Sequence, residues 1–138
     1  MTYQQTIIIP TSGHRDMHDI TDSVNQIVQQ SGIKTGIAHI FNVGSTAAIG
    51  TIEYEPGLKS DLPSALDRLM PPDAEYGHES AWHDGNGHSH MQASMLGPAL
   101  SVPITAAKLV LGTWQQVFLL ECDIKAHTRK IVVTIMGE

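Results

Sequence analysis

Apolar side chains in this sequence come only in short runs. The longest are Ile7–Ile9, Ala47–Ile49, Leu109–Leu111 and Val117–Leu120. Such runs are strand-sized, and none approaches the roughly 20 residues that a membrane-crossing helix requires. The chain therefore has to build its core from many short elements. Its 138 residues, 41% of them apolar, suffice for one domain with a normal core and no disulfide or structural metal. Residues 1–138 read as a single unit, with no linker-like stretch and no internal repeat.

The punctuation between the runs sets the order of elements. Thr6–Ile9 is β-rich and stops at Pro10. Ile20, Val24, Ile27 and Val28 recur at helical spacing, with Asp19 or Thr21 as the cap and Gly32 just past the end. Gly36–Phe41 and Thr46–Tyr54 read as strands joined by a turn at Asn42–Ser45. A second helix is expected over Leu58–Met70, with Leu62, Leu66 and Leu69 on one face and Pro71-Pro72 as its stop. Beyond a short amphipathic piece, Met91–Leu96, strands follow at Leu100–Ile104, Lys108–Leu111, Gln115–Glu121 and Arg129–Met136. The reading is an α+β domain: a largely antiparallel, sandwich-like sheet core with two or three helices packed against it.

Residues 72–90 break this pattern. They hold few aliphatic side chains, three glycines and four of the eight histidines. A stretch of that length without evident structure is uncommon in a compact domain unless it has a task. His78, His83, His88 and His90 are interleaved with Glu79, Asp84 and Asn86, and neutral imidazole with carboxylate oxygen is a donor set for divalent metals. His88 and His90 share a face in an extended segment, since i and i+2 diverge on a helix. Alternatively a helix starts near Ser89, with His90 inward from its first turn and His88 in the loop before it. Either arrangement leaves room for His78 or His83 to close the site. A surface loop whose histidines bond to backbone is the competing reading. His14 and His18 read as solvated residues before a helix, and His127 as an exposed hairpin residue.

Other segments also admit two readings. Gly44-Ser45-Thr46-Ala47-Ala48 is either an ordinary turn or a nest of backbone N–H groups for phosphate, with Ser45 and Thr46 as further donors. Trp114, followed by Gln115 and Gln116, is either core or a flat surface for a heteroaromatic ligand. Glu121 and Arg129 either pair across a hairpin or serve as an acid and an anion clamp. Cys122, the single cysteine, lies in an apolar run and reads as a buried, inert thiol. The net charge of −6, with basic residues scattered except for Arg129-Lys130, argues against a nucleic-acid or anionic-membrane surface. With no apolar leader evident either, a cytoplasmic location is expected.

Phe41-Asn-Val-Gly-Ser-Thr-Ala-Ala-Ile49 followed by Glu53-Tyr-Glu-Pro-Gly57 resembles a block of the YjbQ-like family. His78, then Asn86-Gly-His-Ser-His90 and Ser94-Met-Leu-Gly97, resembles a second. Ser101-Val-Pro-Ile104, Leu111-Gly-Thr-Trp-Gln115, Glu121-Cys-Asp123 and Arg129-Lys130 resemble a third, in which Gly-Thr-Trp-Gln is the most specific element. The resemblance implies a compact α+β homotrimer. It places a site where the histidine segment meets the Gly-Thr-Trp-Gln strand. The implied activity is that of a secondary thiamine-phosphate synthase, joining a hydroxymethylpyrimidine diphosphate to a thiazole phosphate with release of pyrophosphate. Two positions depart from many relatives: Gly44 stands where they carry histidine, and His127 stands near where they present arginine.

The expected roles follow from residue type and from the resemblance together. His78, His88 and His90, with His83 and Asp84 as alternates, hold a divalent zinc, manganese or magnesium ion that screens the diphosphate. Asn86 and Gln115 orient ring or phosphate oxygens, Glu121 acts as acid–base and Arg129 clamps a phosphate. Ser45 and Thr46 contact the small phosphorylated substrate, and Trp114 packs behind it. The alternative is a trimeric protein that binds a small anion or a metal without turnover.

Overall fold

A computed structural model describes residues Met1–Glu138. The elements run β1 (Thr2–Pro10), β2 (Met17–Asp19), α1 (Thr21–Ser31), β3 (Gly36–Val43), β4 (Ala47–Glu53), α2 (Pro56–Leu69), α3 (Gly77–Trp82), α4 (Gly87–Leu96), β5 (Ala99–Thr105), β6 (Lys108–Leu109), β7 (Gln115–Glu121) and β8 (Thr128–Gly137). The strands form a five-stranded sheet, β1-β8-β3-β5-β6, and a three-stranded sheet, β2-β7-β4. Every pairing is antiparallel. The expected α+β sandwich is what the chain adopts, with four helices rather than two or three.

The sheets face each other across one core. Ala38, Ile40, Val102, Ile131, Val133 and Ile135 come from the larger sheet; Ala47, Ile49, Val117 and Leu119 come from the smaller. Ile20, Val24, Ile27 and Val28 of α1 join the same cluster. Each fully buried Ile, Leu or Val among them contributes about 1.5–3 kcal/mol. On β8 burial alternates strictly from Arg129 to Ile135, because only one face of the larger sheet is covered. The smaller sheet is covered on both faces. Its second face sets Met17, Phe118, Leu120 and Cys122 against Leu66 and Met70 of α2's end and Ala93 of α4. Val117 through Glu121 are consequently buried without alternation, which explains an apolar run on a strand.

Helix boundaries follow local chemistry. α1 ends as expected at Gly32, left-handed at φ 72°. Its cap is Ile20, while the Asp19 carboxylate accepts from the Thr21 N–H at 3.0 Å. α2 begins at Pro56, ahead of Leu58, because Glu55 accepts from the N–H groups of Gly57 and Leu58. The segment expected to be irregular contains α3, a six-residue helix with no buried side chain and so no apolar periodicity to betray it. α4 starts at Gly87 rather than Met91, and its first turn buries Gly87 and the polar His88 and Ser89. β1 extends back to Thr2, since its ladder with β8 needs backbone groups rather than apolar side chains. β2 was not expected; it adds three residues to the edge of β7.

Candidate functional site

β7 and β8 are neighbours in sequence but lie in different sheets, so the chain crosses from one sheet to the other between Glu121 and Thr128. That crossing brings Glu121 and Arg129 together at one end of the sandwich, both buried. Arg129 Nε donates to Glu121 Oε1 at 2.7 Å, and Nη2 donates to Glu121 Oε2 and to Thr46 Oγ1. Thr11 Oγ1 donates to Glu121 Oε1 at 2.6 Å, and the Asp123 N–H donates to Oε2 at 3.0 Å. Both carboxylate oxygens are thus satisfied, as a buried carboxylate requires. Pairing is the reading of Glu121 and Arg129 that the geometry takes. It leaves Arg129 Nη1 without an acceptor in the chain.

Beside this pair runs a second polar line that sequence reasoning did not assemble. His14, expected to be solvated, is partly buried and sets its two ring nitrogens against Asp67 Oδ1 at 2.9 Å and the Cys122 carbonyl at 3.0 Å. Gln92 also donates to Asp67 Oδ1, and Arg15 pairs with the other oxygen. Burial alone would raise the Asp67 pKa. Hydrogen bonds from Gln92 and His14, with the charges of His14 and Arg15, outweigh it and hold the carboxyl below its ordinary value. Across the same end His127, expected to be exposed, lies 2.7 Å from Asp123, whose carboxylate also faces the Asn86 amide. Burial opposes ionisation of Asp123 too, but bonds from His127, Thr46 and Asn86 keep its pKa low. Residues 53 apart, as His14 and Asp67 are, give no spacing signal; only the polar residues at buried helix positions, His88, Ser89 and Gln92, carried a hint.

His88 lies between these lines. Its ring centroid is 5.4 Å from that of His14, edge to face. The side chain is 2% exposed, and neither ring nitrogen has a partner. Asn86 Oδ1, Ser89 Oγ and Gln92 Oε1, all from the same turns of α4, are also buried and unpartnered. Each orphan of this kind costs about 1–3 kcal/mol, so a native protein keeps several together only where water or a ligand completes them. Burial, reinforced by His14, pushes the His88 pKa down against the opposing pull of Asp67, Asp123 and Glu79, which favours the neutral imidazole.

The expected metal set divides. α4 is already helical at Gly87, so His88 and His90 diverge. His90 packs on His78 with ring centroids 4.4 Å apart, whereas His88 packs on His14. The donor atoms of His78, Glu79 and Asp84 all lie within 4.8 Å of one another, a nitrogen-and-oxygen set that fits a divalent ion. His78 Nε2 lies 2.9 Å from Asp84 Oδ1, and the two Glu79 oxygens accept from the Gly85 and Gly87 N–H groups. His83 is exposed at the C-cap of α3, outside this set.

Trp114 and Gln115 are not brought to this end. Gln115 pairs with Glu53 at one end of the β4–β7 ladder and Glu121 with Ala47 at the other, six residues or about 20 Å away. Trp114 is 72% exposed rather than packed behind the site. Gln115 donates to Thr51 Oγ1 and accepts from the Gly112 N–H. Ser45 is exposed on the β3–β4 turn, and Thr46 is buried beside Arg129.

The family model described as UPF0047 protein YjbQ-like matches residues 5–138. A UPF0047 protein of Methanothermobacter thermautotrophicus is 38% identical over 136 residues, which span 99% of this chain and 93% of that protein. The crystal structure of a YbjQ-like protein of unknown function from Sulfolobus solfataricus is similar at a TM-score of 0.94 and 40% identity, with 100% of this chain and 99% of that one covered. A YjbQ/UPF0047 protein from Clostridium acetobutylicum reaches a TM-score of 0.87 at 34% identity, covering 96% of this chain and 99% of its own.

Proposed function

The chain belongs to the UPF0047 YjbQ-like family, and from that footing we propose that it is an enzyme acting on small phosphorylated molecules at the polar end of its sandwich. The observation that carries the proposal is His88, neutral and buried with both ring nitrogens unpartnered among ionised, hydrogen-bonded neighbours. A side chain of this kind is ready to donate to, or accept from, a group that arrives later. The reaction suggested by the family resemblance is the thiamine-phosphate synthase type. The thiazole nitrogen attacks the methylene carbon of the pyrimidine, the carbon–oxygen bond breaks, and pyrophosphate leaves with the electron pair.

The residues at hand suit the departure step. His88 would donate its N–H to an oxygen of the leaving group, while the free Asn86 Oδ1 and Gln92 Oε1 would accept from an N–H or O–H of the substrate. His14, anchored by Asp67 and the Cys122 carbonyl, would hold the His88 ring in place. Arg129, fixed by Glu121, would present its remaining edge to a phosphate. His78, Glu79 and Asp84 would hold a divalent ion, which when bound supplies charge screening for a diphosphate.

The test measures pyrophosphate release from the two named substrates by wild type, His88→Gln and His14→Ala. Loss of about 100-fold or more in His88→Gln with the fold retained is expected for a group engaged in proton handling. Turnover equal to wild type refutes the role. Elemental analysis after zinc or manganese loading examines the ion independently; His78→Ala should lose the metal that wild type retains.

A second reading is binding without turnover. It is favoured by the engagement of every carboxylate in the centre, Asp67, Glu121 and Asp123, and by the lack of a free nucleophile. Substrate-dependent thermal stabilisation without product identifies that case. Assembly belongs to the proposal as well. Ile8, Ile37, Val43 and Met136 are exposed on strands of the five-stranded sheet, an apolar set that association would cover, and light scattering reads whether a trimer forms. No helix is long and apolar enough to cross a membrane.

A further inference from the structure

The turn between β3 and β4 adds donors beside the Arg129 edge that the proposed reaction turns toward a phosphate. The backbone N–H groups of Gly44, Ser45 and Thr46 find no acceptor in the chain. Arg129 lies directly behind them. Its Nε and Nη2 are engaged by Glu121 and Thr46, and its Nη1 donates to nothing. Gly44 holds φ 145°, and a Cβ at that position would stand 2.9 Å from Nη1. Glycine therefore permits the turn and at the same time leaves this edge of the guanidinium uncovered. Gly44 and Ser45 also line a cleft of about 250 Å³, which Ser94 of α4 bounds from the other side, with Phe41 and Pro98 as apolar walls.

The donors here have a definite chemical preference. Three successive amides, the Ser45 hydroxyl and a buried guanidinium nitrogen are all hydrogen-bond donors, the inventory of an anion nest. Glu121 neutralises Arg129 through two oxygens that are themselves fully bonded, which keeps the guanidinium rigid and its free edge fixed. Five donors exceed what a carboxylate with two oxygens uses well and match a tetrahedral anion.

We propose that the Gly44–Thr46 turn and the free edge of Arg129 form a subsite for the terminal phosphate of a phosphate monoester, with the organic part of that molecule in the cleft against Phe41 and Pro98. The inference rests on the reading of the protein as acting on phosphorylated small molecules, and it specifies where one phosphate is held. None of its donors is His78, Glu79 or Asp84, so the subsite as proposed binds phosphate without a metal.

Isothermal titration with inorganic phosphate, in the presence of a chelator, tests it directly. Wild type should bind saturably. Ser45→Asp, which puts a carboxylate on an exposed turn residue, should weaken binding by about tenfold or more, the loss expected when a bound anion faces a like charge. Gly44→Ala should weaken it as well. Should its left-handed backbone prevent folding, Ser45→Asp stands by itself. Thr2→Asp, with the same charge change at the far end of β1, should leave the affinity as in wild type. Absence of phosphate binding in wild type, or equal binding by Ser45→Asp, overturns the proposal. Phosphate binding abolished by Ser45→Asp in a protein without turnover sinks the proposed reaction and keeps the subsite. Undiminished turnover in Ser45→Asp does the reverse.

Discussion

Replacing Arg129 by methionine is the sharpest stability perturbation the structure offers. Glu121 is fully buried and Arg129 is 5% exposed, so the substitution strands a carboxylate that water cannot reach. It removes both guanidinium bonds to Glu121 and the bond to Thr46. Thr11 and the Asp123 N–H remain as donors to Glu121, and they moderate the loss without cancelling it. Removing one partner of a buried pair costs about 3–5 kcal/mol, because the surviving charge has lost its compensation. At about 3–5 °C of Tm per kcal/mol for a domain of this size, the melting temperature should fall by roughly 10–25 °C. The double variant Arg129→Met/Glu121→Gln removes both charges but keeps an acceptor for Thr11, and it should be more stable than Arg129→Met alone. Urea unfolding of the four proteins in the cycle reads the coupling. A loss under about 1 kcal/mol for Arg129→Met, or additivity in the cycle, would show that the pair is not what holds this end of the sandwich together.

Three further outcomes are expected. His88 titrates near 6.5 in the unfolded chain and lower in the fold, so between those values the unfolded state binds the extra proton. Stability should therefore fall as pH drops below about 7, by at most about 1.4 kcal/mol per unit; His88→Leu should lose that slope and gain about 1 kcal/mol at neutral pH, and identical urea profiles count against it. Asp67 has a lowered folded pKa, so its contribution is present above about pH 4 and disappears as pH falls through the folded value. Asp67→Asn should accordingly cost about 1–3 kcal/mol at pH 7 and nothing in strong acid, as read by unfolding at both pH values. Burial first, and then the charge of Glu121, push the Cys122 thiol up to about 12. The native protein should resist thiol reagents at about pH 8 and react once unfolded, whereas prompt labelling of the native state would contradict its burial.

Much of the architecture is legible along the chain. α1 declares itself by Ile20, Val24, Ile27 and Val28 and by Gly32 after them, because local periodicity and the left-handed cap are properties of adjacent residues. Pro71 marks the stop of α2 for the same kind of reason. α3 and β2 escape such reading: neither buries enough apolar surface to imprint a period, and β2 exists only because β7 has an edge free beside it. Trp114 shows the opposite failure. A lone indole suggests core, yet the strand it precedes ends at the surface, so the ring has nothing within the chain to pack on.

The functional residues divide along the same line. Composition alone set apart the segment from His78 to His90, and residue type alone made Glu121 and Arg129 a pair of interest. Helical geometry then separated His88 from His78 and His90, a consequence of where α4 begins. That start is decided by Glu79, whose carboxylate receives the Gly85 and Gly87 N–H groups from eight residues back or fewer. The lines through His14, Asp67 and Gln92, and through Asp123, His127 and Asn86, come into being only when two sheets and two helices meet at one end of the sandwich. Most of the elements, though not α3 or β2, and the whole chemical inventory are written along the chain, because propensity, caps and residue type act over a few neighbours. The tertiary structure decided which of those groups face one another, because burial removes water and makes every unpaired polar atom seek a partner wherever the fold has put one.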